Sequence, residues 1–135
     1  MNNCRYCRKV FSMALAGMLL ACNTGEKPVE NSASTFAYAI RQDSRGMVDI
    51  VVYDLLKQNE IAVVPTGASA YHRYKAEWVT DSCILLNSSD IGHRIIDIAD
   101  GCRIYFASII NGGESDKVVL YDEKWNQVGR EIEIK

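Results

Sequence analysis

Short apolar segments rich in Val, Ile and Tyr alternate with turn-forming residues along the chain after residue 34, and this region has no sustained helical repeat. Such a pattern predicts β-strands joined by tight turns. The connecting segments supply Gly, Asp, Asn and Ser, which hairpins favour where the backbone turns. The predicted strands are Thr35–Arg41, Met47–Asp54, Ile61–Pro65, Lys75–Thr80, Cys83–Asn87, His93–Ile98, Arg103–Ile109, Lys117–Asp122 and Gln127–Ile134.

The size of this region limits its architecture. The chain has 135 residues, of which 48% are hydrophobic and 24% are charged, and this composition excludes a disordered polymer and a multi-domain enzyme. We therefore predict one all-β domain over residues 35–135, a small antiparallel β-sandwich or a partly open barrel built of β-hairpins. In its last strand Glu131 and Glu133 alternate with Ile132 and Ile134, which is typical of an edge or half-buried strand.

Three pairs of predicted strands share one layout, in which an apolar strand, a Gly-containing loop and a second strand ending in Asp follow one another. The closing residues are Asp54, Asp97 and Asp122. The segment 76–88, with Trp78 before its turn and Asp81 within it, resembles the repeat of Tol-type periplasmic β-propellers. The resemblance implies blade-like hairpins. A closed propeller needs at least four blades of about 40 residues each, so the region is too short for one.

The first 21 residues have the organisation of an export signal. Three basic residues precede an apolar segment, 10–21, which is shorter than the roughly 20 residues that a membrane-spanning helix needs. The segment ends in Leu19-Leu20-Ala21-Cys22, which resembles the lipobox of bacterial lipoprotein signal peptides. The resemblance implies cleavage between Ala21 and Cys22 and attachment of lipid to the Cys22 sulfur. The alternative is an ordinary secretory signal that happens to end beside a cysteine.

Residues 22–34 are small and polar and predict a flexible tether between the lipid and the domain. Among lipoproteins of bacteria with two membranes, an Asp after the lipidated Cys retains the protein at the inner membrane. This chain has Asn23 there, so the resemblance implies an outer-membrane protein that faces the periplasm, if the source cell has two membranes.

Removal of the signal makes the chain more acidic. Residues 1–21 contain three of the 15 Lys and Arg residues and none of the 17 Asp and Glu residues, so the net charge changes from −2 to −5. A negative charge favours a domain that stands clear of an anionic membrane surface. It also argues against nucleic acid as a partner.

Two cysteines are left in the predicted domain, because Cys4 and Cys7 leave with the signal and Cys22 carries lipid. The predicted meander places Cys83 and Cys102 at the same end of two strands that lie about 9.5 Å apart in a flat sheet. A disulfide needs Cα atoms within about 7 Å, so twist or a bulge would have to close the gap. The sequence therefore leaves two alternatives, a disulfide in the oxidising environment of an exported protein or two buried free thiols.

The sequence has no recognisable catalytic or metal-binding pattern. Neither His72 nor His93 has a second His or Cys at the spacing of metal ligands. Asp97 follows His93 by four strand residues, about 13 Å, which is too far for joint chelation. Ser69 does not lie in a nucleophile elbow, and no phosphate-binding loop precedes a helix. We therefore predict no catalytic residue, metal or cofactor.

A tyrosine- and arginine-rich loop is the most distinctive candidate for a contact surface. It contains Tyr71, His72, Arg73 and Tyr74, and Tyr and Arg are enriched at protein-binding hot spots. The alternative is that the tyrosines pack over a sheet edge. Trp125 lies in a predicted turn, and an exposed Trp there would add contact area.

Three functions are compatible with these features. The first is an envelope-anchored lipoprotein whose β domain binds a protein or serves as a scaffold. The second is an immunity lipoprotein that neutralises a basic toxin by electrostatic complementarity. The third is a small-ligand carrier or a hydrolase with an unrecognised site.

Overall fold

A computed structural model describes residues 27–134 of the chain. The predicted signal 1–21, with its cleavage site at Ala21 and Cys22, lies outside the described residues, and so does the start of the tether. The described chain is all-β, as predicted, and forms two antiparallel sheets that are not closed into a barrel or propeller. The described residues divide into two compact units, one that ends at Pro65 and one that begins at Thr66. No helix in the described part is long and apolar enough to cross a bilayer.

The first sheet has four strands in the order β1-β2-β3-β4. Its centre is buried because β2 and β3 supply closely spaced Ala, Val and Ile side chains, and Ile50, Val51 and Val52 are all fully buried. A strand with consecutive buried residues is covered on both faces. The strands are β1 Val29–Glu30, β2 Phe36–Gln42, β3 Met47–Asp54 and β4 Asn59–Ser69.

The sequence prediction missed β1, which lies in the segment predicted as tether and pairs with Tyr38 and Ala37 of β2. The connection between the two strands is built around Asn31, which is 3% exposed. Its side-chain oxygen accepts hydrogen bonds from the backbone N–H groups of Thr35 and Phe36, at 2.9 and 3.2 Å. The amide nitrogen donates to the Thr35 hydroxyl. A buried Asn that is satisfied by local backbone fixes this turn.

Strand β4 is longer than the predicted Ile61–Pro65. The strand continues past Pro65, although proline has no N–H to donate within a sheet. Strand β4 lies at one end of the four-stranded order, and an edge strand tolerates proline.

The second sheet is a six-stranded meander in which every strand pairs with its neighbours in sequence. A single turn of 3-10 helix, Ile98–Asp100, interrupts it. The strands are β5 Tyr74–Trp78, β6 Cys83–Ser88, β7 Gly92–Asp97, β8 Arg103–Asn111, β9 Asp116–Tyr121 and β10 Gln127–Ile134. The predicted edge strand is confirmed, since β10 is terminal, Ile132 is buried and the flanking glutamates are exposed.

One face of this sheet carries its main hydrophobic cluster. Residues that pair across antiparallel strands point to the same face, and the register places Leu85, Ile95 and Tyr105 in one row. The edge residue Ile132 belongs to the same cluster. The cluster consists of Cys83, Leu85, Ile95, Tyr105, Ala107, Val118, Leu120 and Ile132.

The six-stranded sheet is strongly curled. The Arg130 guanidinium on β10 donates a hydrogen bond to the Asp97 carboxylate on β7, although the two strands are three positions apart in the sheet order. In a flat sheet that separation would be about 14 Å, more than the two extended side chains span. A break in the register between Val119 and Tyr121 accompanies the curl, as expected of a bulge.

The recurring Asp at the ends of strands has a structural explanation. Asp54 accepts hydrogen bonds from the N–H groups of Leu56 and Lys57, and Asp97 accepts one from Ala99. Asp122 accepts from Lys124 and Asn126. Each Asp thus satisfies backbone donors of the turn that follows it. The shared layout therefore reflects the same turn chemistry, repeated in both sheets.

Candidate functional site

The predicted contact loop, residues 70–73, connects β4 to β5 and is held in place by its neighbours. The Ser69 hydroxyl accepts a hydrogen bond from the Tyr71 N–H at 3.1 Å, and the Asp90 carboxylate accepts one from the Ser69 N–H at 2.9 Å. On the other side the Ser89 N–H donates to the Arg73 carbonyl at 2.9 Å. The loop backbone is therefore fixed at both ends to the β6–β7 turn.

The side chains of this loop point outward. Tyr71 is 84% exposed, and His72 and Arg73 are also exposed. Tyr74 is half-buried, because it begins β5 and pairs with Ser88. The alternative in which Tyr71 packs over the sheet edge is therefore not found.

An open cleft of about 620 Å³ adjoins the loop. Two paired strand residues form part of the wall of the cleft. Lys75 of β5 pairs with Asn87 of β6, so both side chains lie on one face of the sheet. The remaining wall comes from the loop and the β6–β7 turn. The lining residues are His72, Arg73, Tyr74, Lys75, Asn87 and Ser89.

The cleft carries cationic groups and hydrogen-bond donors. Arg73 and Lys75 are positively charged, while Asn87 and Ser89 supply an amide and a hydroxyl. The nearest ion pair joins Lys75 Nζ to the Glu77 carboxylate at 3.9 Å, with 76% of the Lys75 side chain and 52% of the Glu77 side chain exposed. Solvent screens such a pair strongly. Lys75 therefore remains available to an anionic group in the cleft.

Ser69, His72 and Asp90 come close together without forming a catalytic triad. The Ser69 hydroxyl and the Asp90 carboxylate both accept backbone N–H groups of the loop. Among residues 27–134 no side-chain hydrogen bond joins His72 to either of them. In this structure Ser69 and Asp90 therefore hold the backbone of the loop.

Trp125 does not lie with the loop. It is 58% exposed, as predicted, and sits in the β9–β10 turn against Phe106 and Tyr121, with ring centroids 4.5 and 5.6 Å away. The Arg94 guanidinium covers the Phe106 ring at 4.2 Å. Strands β5 and β9 are four positions apart in the sheet order, and Trp125 is not among the residues that line the cleft beside the loop.

Trp78 is only half-buried, whereas a large apolar side chain in a predicted strand is expected in the core. It is the last residue of β5, an edge strand whose residues alternate between exposed and half-buried. Edge position explains this difference.

A buried polar cluster at the opposite end of β7 was not foreseen. Asp97 is 1% exposed and accepts a hydrogen bond from Arg130, whose guanidinium also contacts the Cys83 sulfur at 3.6 Å. The hydrogen bond that Arg130 donates to Asp97 raises the pKa of Arg130. Nearby, the Tyr105 hydroxyl donates to Asp100, and this bond raises the pKa of Tyr105. No short-range pattern links Asp97 to Arg130, because they lie 33 residues apart.

Cys83 and Cys102 are both free thiols in the structure, Cys83 buried and Cys102 half-buried. Cys83 is in register with Asp97, which in turn pairs with Arg103. Strand β7 thus separates β6 from β8 at this end, and Cys102 precedes β8 in the turn. Burial and the neighbouring Asp97 raise the pKa of the Cys102 thiol, and a raised pKa disfavours the reactive thiolate.

Among the described residues no group of three or more His, Cys, Asp or Glu side chains is arranged to hold a metal ion. No protein-family model matches the sequence, and neither a curated protein nor a solved structure is similar to it. The loop and its cleft are therefore interpreted from their own chemistry.

Proposed function

We propose that this protein is a lipid-anchored lipoprotein of the bacterial envelope whose β domain binds another protein through the loop 70–73. The lipobox-like segment ending in Cys22 supports the anchor. The observation that carries the binding function is the 84% exposure of Tyr71 on a loop with a fixed backbone.

A fixed loop favours binding because its ordering cost is met when the protein folds. Tyr71 offers a large ring with a polar tip, and Arg73 beside it offers a planar set of donors. Both side chains are exposed. A partner that covers them would bury aromatic area and gain charge-assisted hydrogen bonds.

A second candidate function is immunity against a basic toxin. The net charge of −5 for residues 22–135 supports it, because a negative surface accelerates association with a basic partner. The identity of the partner bound at Tyr71 separates the two functions. An envelope component favours the scaffold function, and a basic toxin favours immunity.

Site-specific photocrosslinking tests the proposal. Benzoylphenylalanine replaces Tyr71 in the full chain, which is expressed in the source cells and irradiated. We expect one discrete adduct, whose partner is identified by mass spectrometry. The matched control places the same probe at Leu56, which is 79% exposed in the β3–β4 turn. The absence of an adduct at position 71, or the same adduct from both positions, would refute binding through the loop.

A further inference from the structure

Arg73 differs from every other arginine that the structure describes. Arg41 pairs with Glu60, Arg45 with Asp43 and Arg130 with Asp97. Arg94 donates to two backbone carbonyls and lies over Phe106, while Arg103 lies over the Tyr105 ring. Only the Arg73 guanidinium has neither an ion pair, a hydrogen bond nor a ring contact among residues 27–134. Its five donors are therefore open to a ligand.

The cleft beside Arg73 supplies further groups of the same kind. Lys75 and His72 lie on its wall with the Asn87 amide and the Ser89 hydroxyl. The neighbouring carboxylates do not fill it. Asp90 accepts the Ser69 N–H, and Glu77 lies 3.9 Å from Lys75 Nζ in an exposed pair. In a chain whose predicted mature charge is −5, this is a local concentration of donors and positive charge.

We infer that the cleft of Arg73 and Lys75 binds a carboxylate side chain of the partner protein that contacts Tyr71. This inference rests on the proposed function and names the chemistry of its partner. A guanidinium matches a carboxylate in a planar, two-bond geometry, and Lys75 adds a point charge.

Two observations favour a protein carboxylate over other anions. The cleft is open, whereas sites for small molecules enclose most of their ligand. The acidic chain as a whole repels an extended anionic surface such as a membrane, whereas the side-chain carboxylates of a short segment need only the local positive charge. Tyr71 adjoins the cleft and supplies the aromatic area typical of a protein contact.

The direct test is a titration of the full chain in detergent micelles, followed by NMR chemical shifts. The probe is tetraglutamate, acetylated and amidated so that only side-chain carboxylates are charged, and tetraglutamine is its neutral control. We expect tetraglutamate to shift the backbone amides of Arg73, Lys75 and Ser89, and R73Q to weaken this binding by roughly fivefold, the upper range for an exposed charge pair. The matched control K57Q removes an exposed charge from a turn outside the cleft and should leave the affinity unchanged.

Several results would overturn the inference. These are no shifts at the cleft, equal affinity in R73Q, equal shifts with tetraglutamine, or shifts that inorganic phosphate or phosphatidylglycerol vesicles produce and tetraglutamate does not. The crosslinking at position 71 is read separately. If the adduct forms but tetraglutamate does not bind, the carboxylate site is refuted and the proposed function stands. If no adduct forms, the proposed function itself is refuted.

Discussion

At the scale of single residues, the Asp97 carboxylate organises one end of the six-stranded sheet. One oxygen accepts the Ala99 N–H at the start of the 3-10 turn, and the other accepts the Arg130 guanidinium. The two side chains of this ion pair differ in environment, since Asp97 is 1% exposed and Arg130 is 45% exposed. Removing Arg130 therefore leaves a buried carboxylate without its partner, whereas removing Asp97 leaves a partly exposed guanidinium without its partner.

We predict that R130M destabilises the protein more than D97N. R130M leaves a buried carboxylate without its counter-charge, which costs about 3–5 kcal/mol. D97N keeps an oxygen for the Ala99 N–H and leaves a guanidinium that reaches water, so it should cost about 1–2 kcal/mol. Urea denaturation measures both changes in the free energy of unfolding.

The control variant is K117M, because Lys117 forms an exposed pair with Glu131 at 3.8 Å and such pairs contribute under about 1 kcal/mol. Equal losses for R130M and D97N, or a larger loss for D97N, would contradict the asymmetry.

At the scale of elements, two hairpin turns have the same construction in different sheets. Asp43 accepts the N–H groups of Arg45 and Met47, and Asp122 accepts those of Lys124 and Asn126. The fourth residue has a positive φ in both turns, 78° at Gly46 and 63° at Trp125. Glycine takes that conformation at little cost, whereas a side chain is strained there.

These hydrogen bonds predict a specific response to acid. The backbone hydrogen bond from Asn126 holds the pKa of Asp122 below its ordinary value, so the carboxylate stabilises the folded state above pH of about 4 and loses this contribution as the pH falls through the lowered pKa. D122A should therefore lose less stability than the wild type as the pH falls from about 5 to below the lowered pKa of Asp122. Thermal unfolding across this range measures the effect.

The matched control is E123A, which removes an exposed carboxylate from the same turn. It should keep the acid dependence of the wild type. If the stability of D122A falls with decreasing pH as steeply as that of the wild type, the Asp122 carboxylate contributes nothing to the acid dependence.

Most elements were predictable because they depend on local chemistry. Alternating Ile and Glu fixed the faces of β10, and turn residues marked the hairpins. The errors arose where distant parts of the chain decide the outcome. Strand β4 continues past Pro65 because it is an edge strand, and Asp97 meets Arg130 only because the sheet curls. The residue types of the loop around Tyr71 suggest a contact surface from the sequence alone, whereas the cleft beside it depends on the pairing of Lys75 with Asn87.

At the scale of the whole molecule, the proposed anchor makes a prediction about where the chain resides. C22S should abolish labelling by radioactive palmitate and shift the protein from the membrane fraction to the soluble fraction, because oxygen cannot form the thioether. Two or more acyl chains anchor a protein stably, whereas one does so only marginally. The control C102S removes a different thiol and should remain labelled. Undiminished labelling of C22S would refute the lipid anchor.

The ion pair between Arg130 of β10 and Asp97 of β7 also has a consequence for how the chain folds. Each hairpin of the meander joins residues close in sequence, and local contacts of this kind form rapidly. Arg130 and Ile132, however, come from the strand that is synthesised last of the six, and they complete a cluster begun at Cys83. A nascent chain interrupted before β10 therefore lacks the residues that complete this cluster. Such late completion would suit the proposed export, in which a polypeptide stays unfolded while it passes through a narrow channel.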